Sequence, residues 1–185
     1  MFRLLHKVYV LFCWLVVLGA AAVLYLNRSL FYPVADLVDA LRVREGLEQK
    51  KTGELSGRVT RVLDGDMFVL KDEHGQSYTI RLTGVNAPDY QETNRAERLR
   101  AGQSKINLSR LILSNEVRVE ITYTNETRGA LGIAYLGNTN INLRAVETGN
   151  ARAKREYMNG LPLKDRYALI HADRKAQERK AVPME

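Results

Sequence analysis

An uncharged apolar run near the N-terminus constrains the fold of this chain most. It extends from Val8 to Leu26 and contains no Asp, Glu, Lys, Arg or His. A helix of this length, at ~1.5 Å rise per residue, measures roughly 28 Å, close to the hydrocarbon thickness of a bilayer. The run therefore predicts one transmembrane helix over residues 8–26, preceded by an N-terminal flank over residues 1–7.

Two other interpretations of this run are open. Ala20–Ala22 resembles the small-residue site of a cleaved secretory signal, although apolar residues continue beyond it to Leu26. A buried core helix that is apolar all round would need a larger protein than this chain of 185 residues. Arg3 and Lys7 before the run outnumber Arg28 after it, which favours an N-terminus on the positive-inside side of the membrane.

The charge of the chain favours an anionic partner. Its formal net charge is +7 and its pI is about 9.6, which suits nucleic acid, phosphorylated ligands or a lipid surface. The first acidic residue is Asp36, and such an N-terminal region is typical of an uncleaved organellar anchor. We therefore expect a single-pass membrane protein and suspect the mitochondrial inner membrane. The lone cysteine, Cys13, excludes an intrachain disulfide.

A second segment has the pattern of an amphipathic helix. The apolar residues Val34, Leu37, Val38, Leu41 and Leu47 recur at largely helical spacing, and Pro33 suits a first helical turn. The pattern predicts a juxtamembrane helix over residues 33–50. This helix would either pack on its own domain or bind a partner or the membrane surface.

From Glu54 onward the pattern changes to short alternating strands joined by turns. The predicted order is strands at Gly57–Leu63, Met67–Leu70 and Ser77–Val85, a helix at Arg95–Ser114, strands at Glu116–Tyr123 and Leu131–Leu136, and helices at Asn142–Thr148 and Leu163–Lys180. Five short strands with a helix after the third are the layout of an OB-type barrel. The predicted fold class is α+β, mainly β: a five-stranded OB-type barrel with helices, preceded by one transmembrane helix.

Four short motifs in this region resemble those of the staphylococcal nuclease (thermonuclease) family. They are Val62-Leu63-Asp64-Gly65-Asp66, the run from Ile80 to Asp89 that reads IRLTGVNAPD, Gly132-Ile133-Ala134-Tyr135, and Asn140-Ile141-Asn142. The resemblance implies a staphylococcal nuclease-like OB-fold domain over residues 54–180. It also implies phosphodiester hydrolysis with calcium, in which a hard cation bound by oxygen ligands polarises the phosphate.

The resemblance assigns metal ligands to three positions. Asp66 matches a metal-binding aspartate of the family, and Ala87 stands where a residue lends its backbone carbonyl. Asn86 occupies the position of a second metal-binding aspartate. An amide oxygen can bind calcium but carries no charge. We therefore expect calcium to be weakly bound or absent.

The resemblance also assigns the catalytic positions. Arg81 matches an arginine that clamps phosphate, and Asp89 stands at the catalytic glutamate but is one methylene shorter. Leu131 falls where the family has a second arginine, and a leucine cannot bind phosphate. Arg128 lies three residues earlier and is the candidate substitute. Met67 replaces a threonine that follows the Asp-Gly-Asp motif.

Each of these features also has a purely structural interpretation. Asp-Gly is common in tight turns for backbone reasons alone, so Asp64 and Asp66 fit a barrel without activity. The basic stretch Arg152–Lys180, with Tyr157 within it, is either a nucleotide-facing surface, as the resemblance implies, or a solvated helix face.

Three functions follow from these observations. The first is a nuclease-like domain with a weakened or inactive site, serving as an accessory or docking subunit of a membrane complex. The second is a membrane-anchored, calcium-dependent nuclease acting on DNA or RNA. The third is a single-stranded nucleic-acid binder that does not cleave. The eroded positions, Asn86, Asp89 and Leu131, favour the first.

Overall fold

The structure is a computed structural model that describes residues 13–19, 22–23, 25, 28–43, 53–89, 94–125 and 129–181. The chain divides into two compact units, residues 1–38 and 39–185. The helices are α1 (Arg28–Arg42), α2 (Arg95–Ile112), α3 (Ile141–Glu147) and α4 (Leu163–Ala181), with a 3-10 turn at Arg155–Tyr157. The strands are β1 (Gly53–Asp64), β2 (Met67–Lys71), β3 (Ser77–Leu82), β4 (Val85–Asn86), β5 (Glu116–Asn125), β6 (Gly129–Leu136), β7 (Thr139–Asn140) and β8 (Arg152–Ala153).

The first unit is helical wherever the structure describes it. Residues 13–19 form a helix whose large side chains, from Trp14 to Leu18, are exposed. Among the described residues, no helix combines the length and the apolar character that a membrane crossing requires. The predicted span over residues 8–26 lies only partly within those residues, so it stays a prediction.

Helix α1 begins at Arg28, earlier than the sequence pattern indicated. Pro33 therefore lies inside the helix, and its predicted place in the first turn is wrong. A proline at this position removes a single hydrogen bond near the start of the helix, and the following turns keep theirs. Residues 44–50 of the predicted helix lie outside the described residues. The predicted apolar residues Val34, Leu37, Val38 and Leu41 are exposed, and Leu47 is not among the described residues. Ala40 and Val43, which the pattern did not include, are buried.

The second unit is built around a closed five-stranded barrel. β1 pairs antiparallel with β2 and β5, β2 pairs with β3, and β5 pairs with β6. A parallel pairing of β3 with β6 closes the circuit. Helix α2 follows the third strand, as predicted. The mixed α+β class and the OB-type barrel are thereby confirmed.

The third barrel strand is shorter than predicted. β3 ends at Leu82, and β4 leaves the barrel to pair with β8. The break occurs at Gly84, which adopts φ 76°. A Cβ at Gly84 would lie 2.8 Å from a side-chain carbon of Leu169 and 2.9 Å from one of Leu161, so only glycine fits. The predicted continuous strand Ser77–Val85 is therefore wrong at its end. The break brings the following residues past the β1–β2 turn.

Apolar side chains fill the barrel and the space beneath the helices. The largest fully buried ones are Val59, Phe68, Leu70, Ile80, Leu82, Val85, Ile112, Val117, Val119, Ile141, Met158 and Leu161. Burying side chains of this size stabilises the fold by roughly 1.5–3 kcal/mol each relative to exposure. Asn142 is buried among them and is fully used: its Nδ2 donates to the carbonyls of Thr83 and Gly132, and its Oδ1 accepts from Ala134 N–H.

Candidate functional site

The Asp64-Gly65-Asp66 motif forms the tight turn between β1 and β2. Gly65 N–H donates to Asp64 Oδ1 at 2.7 Å. A Cβ on Gly65 would lie 1.9 Å from Ser104 Oγ and 2.8 Å from Ala87 Cβ. Helix α2 therefore packs so closely on the turn that no side chain fits at Gly65. This glycine is required by packing, whatever chemistry the site performs.

Asp66 is buried and bonded to two other predicted site residues. Its Oδ2 lies 3.2 Å from Arg81 Nη2 and accepts Ala87 N–H at 3.3 Å. The β2–β3 register places Arg81 opposite Met67, directly beside the turn. The Asp66 side chain is 3% exposed and that of Arg81 is 38% exposed. The pair thus has one buried end and one end that reaches the surface.

The carboxylates around the turn affect one another. Burial raises the pKa of Asp66 above its ordinary value of 3.8, and the Arg81 charge and the Ala87 N–H oppose that rise. Burial also raises the pKa of Asp64 above 3.8, and the Gly65 N–H lowers it again. The charge of Asp89 raises the pKa of Asp64 further. The structure therefore brings together the predicted site residues Asp66, Arg81 and Ala87, and the charge of the predicted catalytic Asp89 acts on the same turn.

The proposed calcium ligands do not form a suitable donor set. Calcium takes six to eight oxygen ligands, several of them carboxylates. Here Asp66 Oδ2 already faces a guanidinium and an N–H. Asn86 directs its Nδ2 at the Ala87 carbonyl, at 3.4 Å, so the amide donates to one of the oxygens assigned to the metal. Within the described part of the chain, no group of three acidic, histidine or cysteine side chains could hold a metal ion.

A cavity of about 580 Å³ opens beside Arg81. It is lined by Met67, Arg81, Leu82, Thr83, Tyr123, Gly129, Leu131, Glu156, Tyr157 and Asn159. Its size suits a small-molecule or nucleotide ligand. Among these described lining residues, Arg81 is the only Lys or Arg.

Leu131 lies opposite Arg81 in the parallel β3–β6 register and lines the same cavity. The position that the family resemblance assigns to a second arginine therefore carries an apolar side chain that faces the site. Arg128, the candidate substitute, lies outside the described residues, and its role stays a prediction.

Tyr157 completes the charged end of the cavity. Its ring lies 5.4 Å from the Arg81 guanidinium carbon and 4.8 Å from Lys154 Nζ. Cations over an aromatic face are attracted to it and held in place. The expected surface near Tyr157 is therefore part of the cleft. Sequence reasoning missed Lys154, although its spacing of three residues from Tyr157 within a basic stretch was a usable signal. It also missed that Arg81 Nε is buried without a hydrogen-bond partner among the described atoms.

Comparison with known proteins shows which family the barrel domain belongs to. The family model described as staphylococcal nuclease homologue matches residues 79–182. A thermonuclease from Staphylococcus intermedius is 30% identical over 144 residues, which cover 73% of this chain and 81% of that protein. An uncharacterized endonuclease from Haemophilus influenzae (strain ATCC 51907 / DSM 11121 / KW20 / Rd) is 30% identical over 101 residues, or 54% of this chain and 53% of that protein. The chain belongs to the staphylococcal nuclease homologue family, whose members are generally calcium-dependent.

Proposed function

We propose that this chain is a membrane-anchored nuclease-like protein whose cleavage site is weakened or inactive, and that it serves as an accessory subunit of a membrane complex. The observation that carries the proposal is Leu131, which lies beside Arg81 in the β3–β6 register and lines the same cavity, at the position where a second phosphate-binding arginine is expected. Removing one preorganised electrostatic contact to a transition state typically costs about 2.7–4 kcal/mol, or 10²–10³-fold in rate.

Two further departures act in the same direction. Asn86 supplies no charge to a cation and donates its amide to the Ala87 carbonyl. Asp89 is shorter than a glutamate, and a displacement of about 1 Å in a catalytic group can cost about 10²-fold in rate. These losses need not add. Together they support a domain that retains the nuclease fold with little of its activity.

The exposed apolar residues support the membrane part of the proposal. Trp14, Leu15, Val16, Val17 and Leu18 are all more than half exposed. On α1, Phe31, Val34 and Leu41 are also more than half exposed. Exposed large apolar side chains that cluster along a helix are typical of a membrane or protein interaction site. We propose a single-pass anchor in an organellar membrane, with the mitochondrial inner membrane as the leading candidate.

A second candidate function is a calcium-dependent nuclease acting on DNA or RNA. The specific observation in its favour is the retained Asp66–Arg81 pair beside a cavity of nucleotide size, with Tyr157 against Arg81. The Staphylococcus intermedius relative is called a thermonuclease and the Haemophilus influenzae relative an endonuclease. Asn86, which brings no charge to a cation, argues against tight calcium binding by this chain.

Cleavage of single-stranded DNA and RNA by the full chain in mild detergent, with and without calcium, separates the two candidates. Arg81→Ala and Asp66→Ala variants are run beside it. The first proposal expects no cleavage above that of either variant. Calcium-dependent cleavage that disappears in both variants would establish the nuclease and overturn the first proposal.

The partner half of the proposal has a separate test. Mild detergent extraction from native membranes, followed by size separation, should show the chain in a stable assembly much larger than its own 21.0 kDa. A lone monomer, or recovery in the soluble fraction without detergent, would contradict the accessory-subunit role.

A further inference from the structure

A second pocket lies behind the Asp64-Gly65-Asp66 turn, between α2 and α3. Its volume is about 450 Å³, within the range of small-molecule sites. It is lined by Gly65, Ser104, Asn107, Leu108, Arg110, Leu111, Arg144, Ala145, Thr148 and Asn150. It shares no lining residue with the cavity at Arg81. Any ligand it takes is therefore distinct from a phosphodiester in the cleft.

We call the site lined by those ten residues the back pocket. Its charge is positive. Arg110 and Arg144 both line it, and none of its described lining residues is acidic. Arg144 Nη1 lies 3.5 Å from Glu147 Oε2, with side chains 55% and 43% exposed. An ion pair this exposed is weak, so it leaves Arg144 free to bind an anion.

Neutral polar groups form a fixed chain along the pocket wall. Asn107 Nδ2 donates to Asn150 Oδ1 at 2.6 Å, and Asn150 Nδ2 donates to Thr148 Oγ1 at 2.7 Å. Thr148 Oγ1 in turn donates to the Arg144 carbonyl at 2.9 Å. These bonds join α2 to the end of α3 and hold the rim in one shape. A ligand would therefore lose little affinity to ordering the site.

Ser104 supplies an independent sign that the pocket is a binding site. It lines the pocket, is 1% exposed, and its Oγ has no hydrogen-bond partner among the described residues. A buried hydroxyl without a partner is costly and calls for an explanation. The hydroxyl also packs directly on Gly65, so a smaller apolar residue would satisfy the packing without this cost.

We propose that the back pocket binds a small organic phosphomonoester, of nucleoside monophosphate size. Two guanidinium groups match a phosphomonoester, which carries about −1.5 to −2 charges at pH 7, better than a carboxylate with one. Leu108, Leu111 and Ala145 give the organic part of the ligand an apolar wall. A change of the Ser104 χ1 rotamer would turn its Oγ, which solvent does not reach in this structure, toward a ligand at the pocket floor. This binding requires no cleavage, so its test is independent of whether the chain is a nuclease.

Calorimetric titration of the full chain in mild detergent tests the proposal, with adenosine 5′-monophosphate, inorganic phosphate and adenosine as probes. The monophosphate is expected to bind more tightly than inorganic phosphate, and adenosine is expected not to bind. Arg110→Gln and Arg144→Gln should each weaken monophosphate binding roughly tenfold or more, the loss expected for a charge-assisted hydrogen bond. Arg100→Gln, an exposed arginine of the same helix that does not line the pocket, should leave it unchanged.

Ser104→Ala separates a ligand-binding hydroxyl from a structural one. It should weaken monophosphate binding while leaving the melting temperature of the ligand-free chain unchanged or higher. A lower melting temperature for the ligand-free variant would mean that the hydroxyl has a structural partner. Arg81→Gln distinguishes the two sites. If Arg81→Gln abolishes binding while Arg110→Gln does not, the ligand occupies the cleft and the proposal is overturned, as it is if no probe binds.

Discussion

The two sides of the cleft at Arg81 differ in how strongly folding constrains their side chains. On the turn side, Gly65 has no room for a side chain, and Asp66 accepts hydrogen bonds from Arg81 and Ala87. On the far side, which is the β6 side, Leu131 is half-buried and lines open cavity space. The turn side is thus built into the barrel, whereas the far side contributes little that folding requires.

This difference determines what each motif indicates about function. Packing alone requires Gly65 at this turn, so the Asp-Gly of the motif is weak support for catalysis. Folding would tolerate an arginine at position 131 on the far side, and the chain has a leucine there. An apolar residue at a position that folding does not constrain is the stronger functional evidence.

The largest effect is expected from Arg81→Ala on the turn side. Removing one partner of a buried ion pair leaves the other charge unpaired, at a cost of about 3–5 kcal/mol. Because the Arg81 side chain is 38% exposed and screened by solvent, we expect a loss of about 2–3 kcal/mol. Urea denaturation at pH 7 measures it. The Arg81→Ala/Asp66→Asn double variant should recover most of the loss, and an unchanged midpoint in the single variant would contradict the structural role of the pair.

The second largest effect is expected from Gly65→Ala, which should lower the free energy of unfolding by about 1–3 kcal/mol through overpacking. Its new Cβ would sit 1.9 Å from Ser104 Oγ, so helix α2 must shift away from the turn. The matched control is the Gly65→Ala/Ser104→Gly double variant, analysed by thermal unfolding as a double-mutant cycle. Strictly additive effects of the two substitutions would show that this contact does not limit position 65.

Asp66→Asn should raise the free energy of unfolding at pH 7. Burial raises the pKa of Asp66 in the folded state above the unfolded value of 3.8, so the folded protein binds the proton more tightly. This contribution to stability is fully present below pH 3.8 and is lost as the pH rises through the folded pKa. The gain in the variant should therefore disappear in acid. Denaturation midpoints across the pH range test this, and a variant less stable than the wild type at pH 7 would refute it.

The smallest change in the free energy of unfolding is expected at Leu131, on the far side of the cleft. Leu131 is half-buried at the cavity surface, so Leu131→Gln should alter the free energy of unfolding by only about 0.5 kcal/mol. Thermal unfolding of Leu131→Gln and Arg81→Ala under the same conditions compares the two losses of stability directly. A loss as large as that of Arg81→Ala would mean that the two sides do not differ as described.

Sequence reasoning predicted the barrel because five alternating strands and their glycine turns are local patterns. Through the motifs that resemble the family, it predicted Asp66, Arg81 and Tyr157 as parts of one site, and the structure places them around the cleft. It missed the break at Gly84, because the run from Ile80 to Val85 alternates like one strand. That break depends on the side chains of Leu161 and Leu169, which are distant in sequence.

The chemistry of the site was less accessible to sequence than its location. Nothing in the motif shows that Arg81 bonds the carboxylate assigned to the metal, or that Asn86 directs its amide nitrogen at the Ala87 carbonyl. Both are contacts of tertiary structure. The back pocket was also missed, since Ser104, Arg110 and Arg144 carry no shared pattern and meet only when α3 packs beside α2.

The most direct test of the claim that the cleft has lost a phosphate-binding side chain is to place an arginine at position 131. The full chain, Leu131→Arg and the uncharged control Leu131→Gln would be assayed for cleavage of single-stranded DNA with calcium. We predict no measurable cleavage by the wild type or by Leu131→Gln. Leu131→Arg should give cleavage that is detectable but slow, because Asn86 and Asp89 still depart from the family pattern, and that is lost again when Arg81→Ala is added. Robust cleavage by the wild type, unaffected at position 131, would contradict the claim that this cleft has lost its phosphate-binding side.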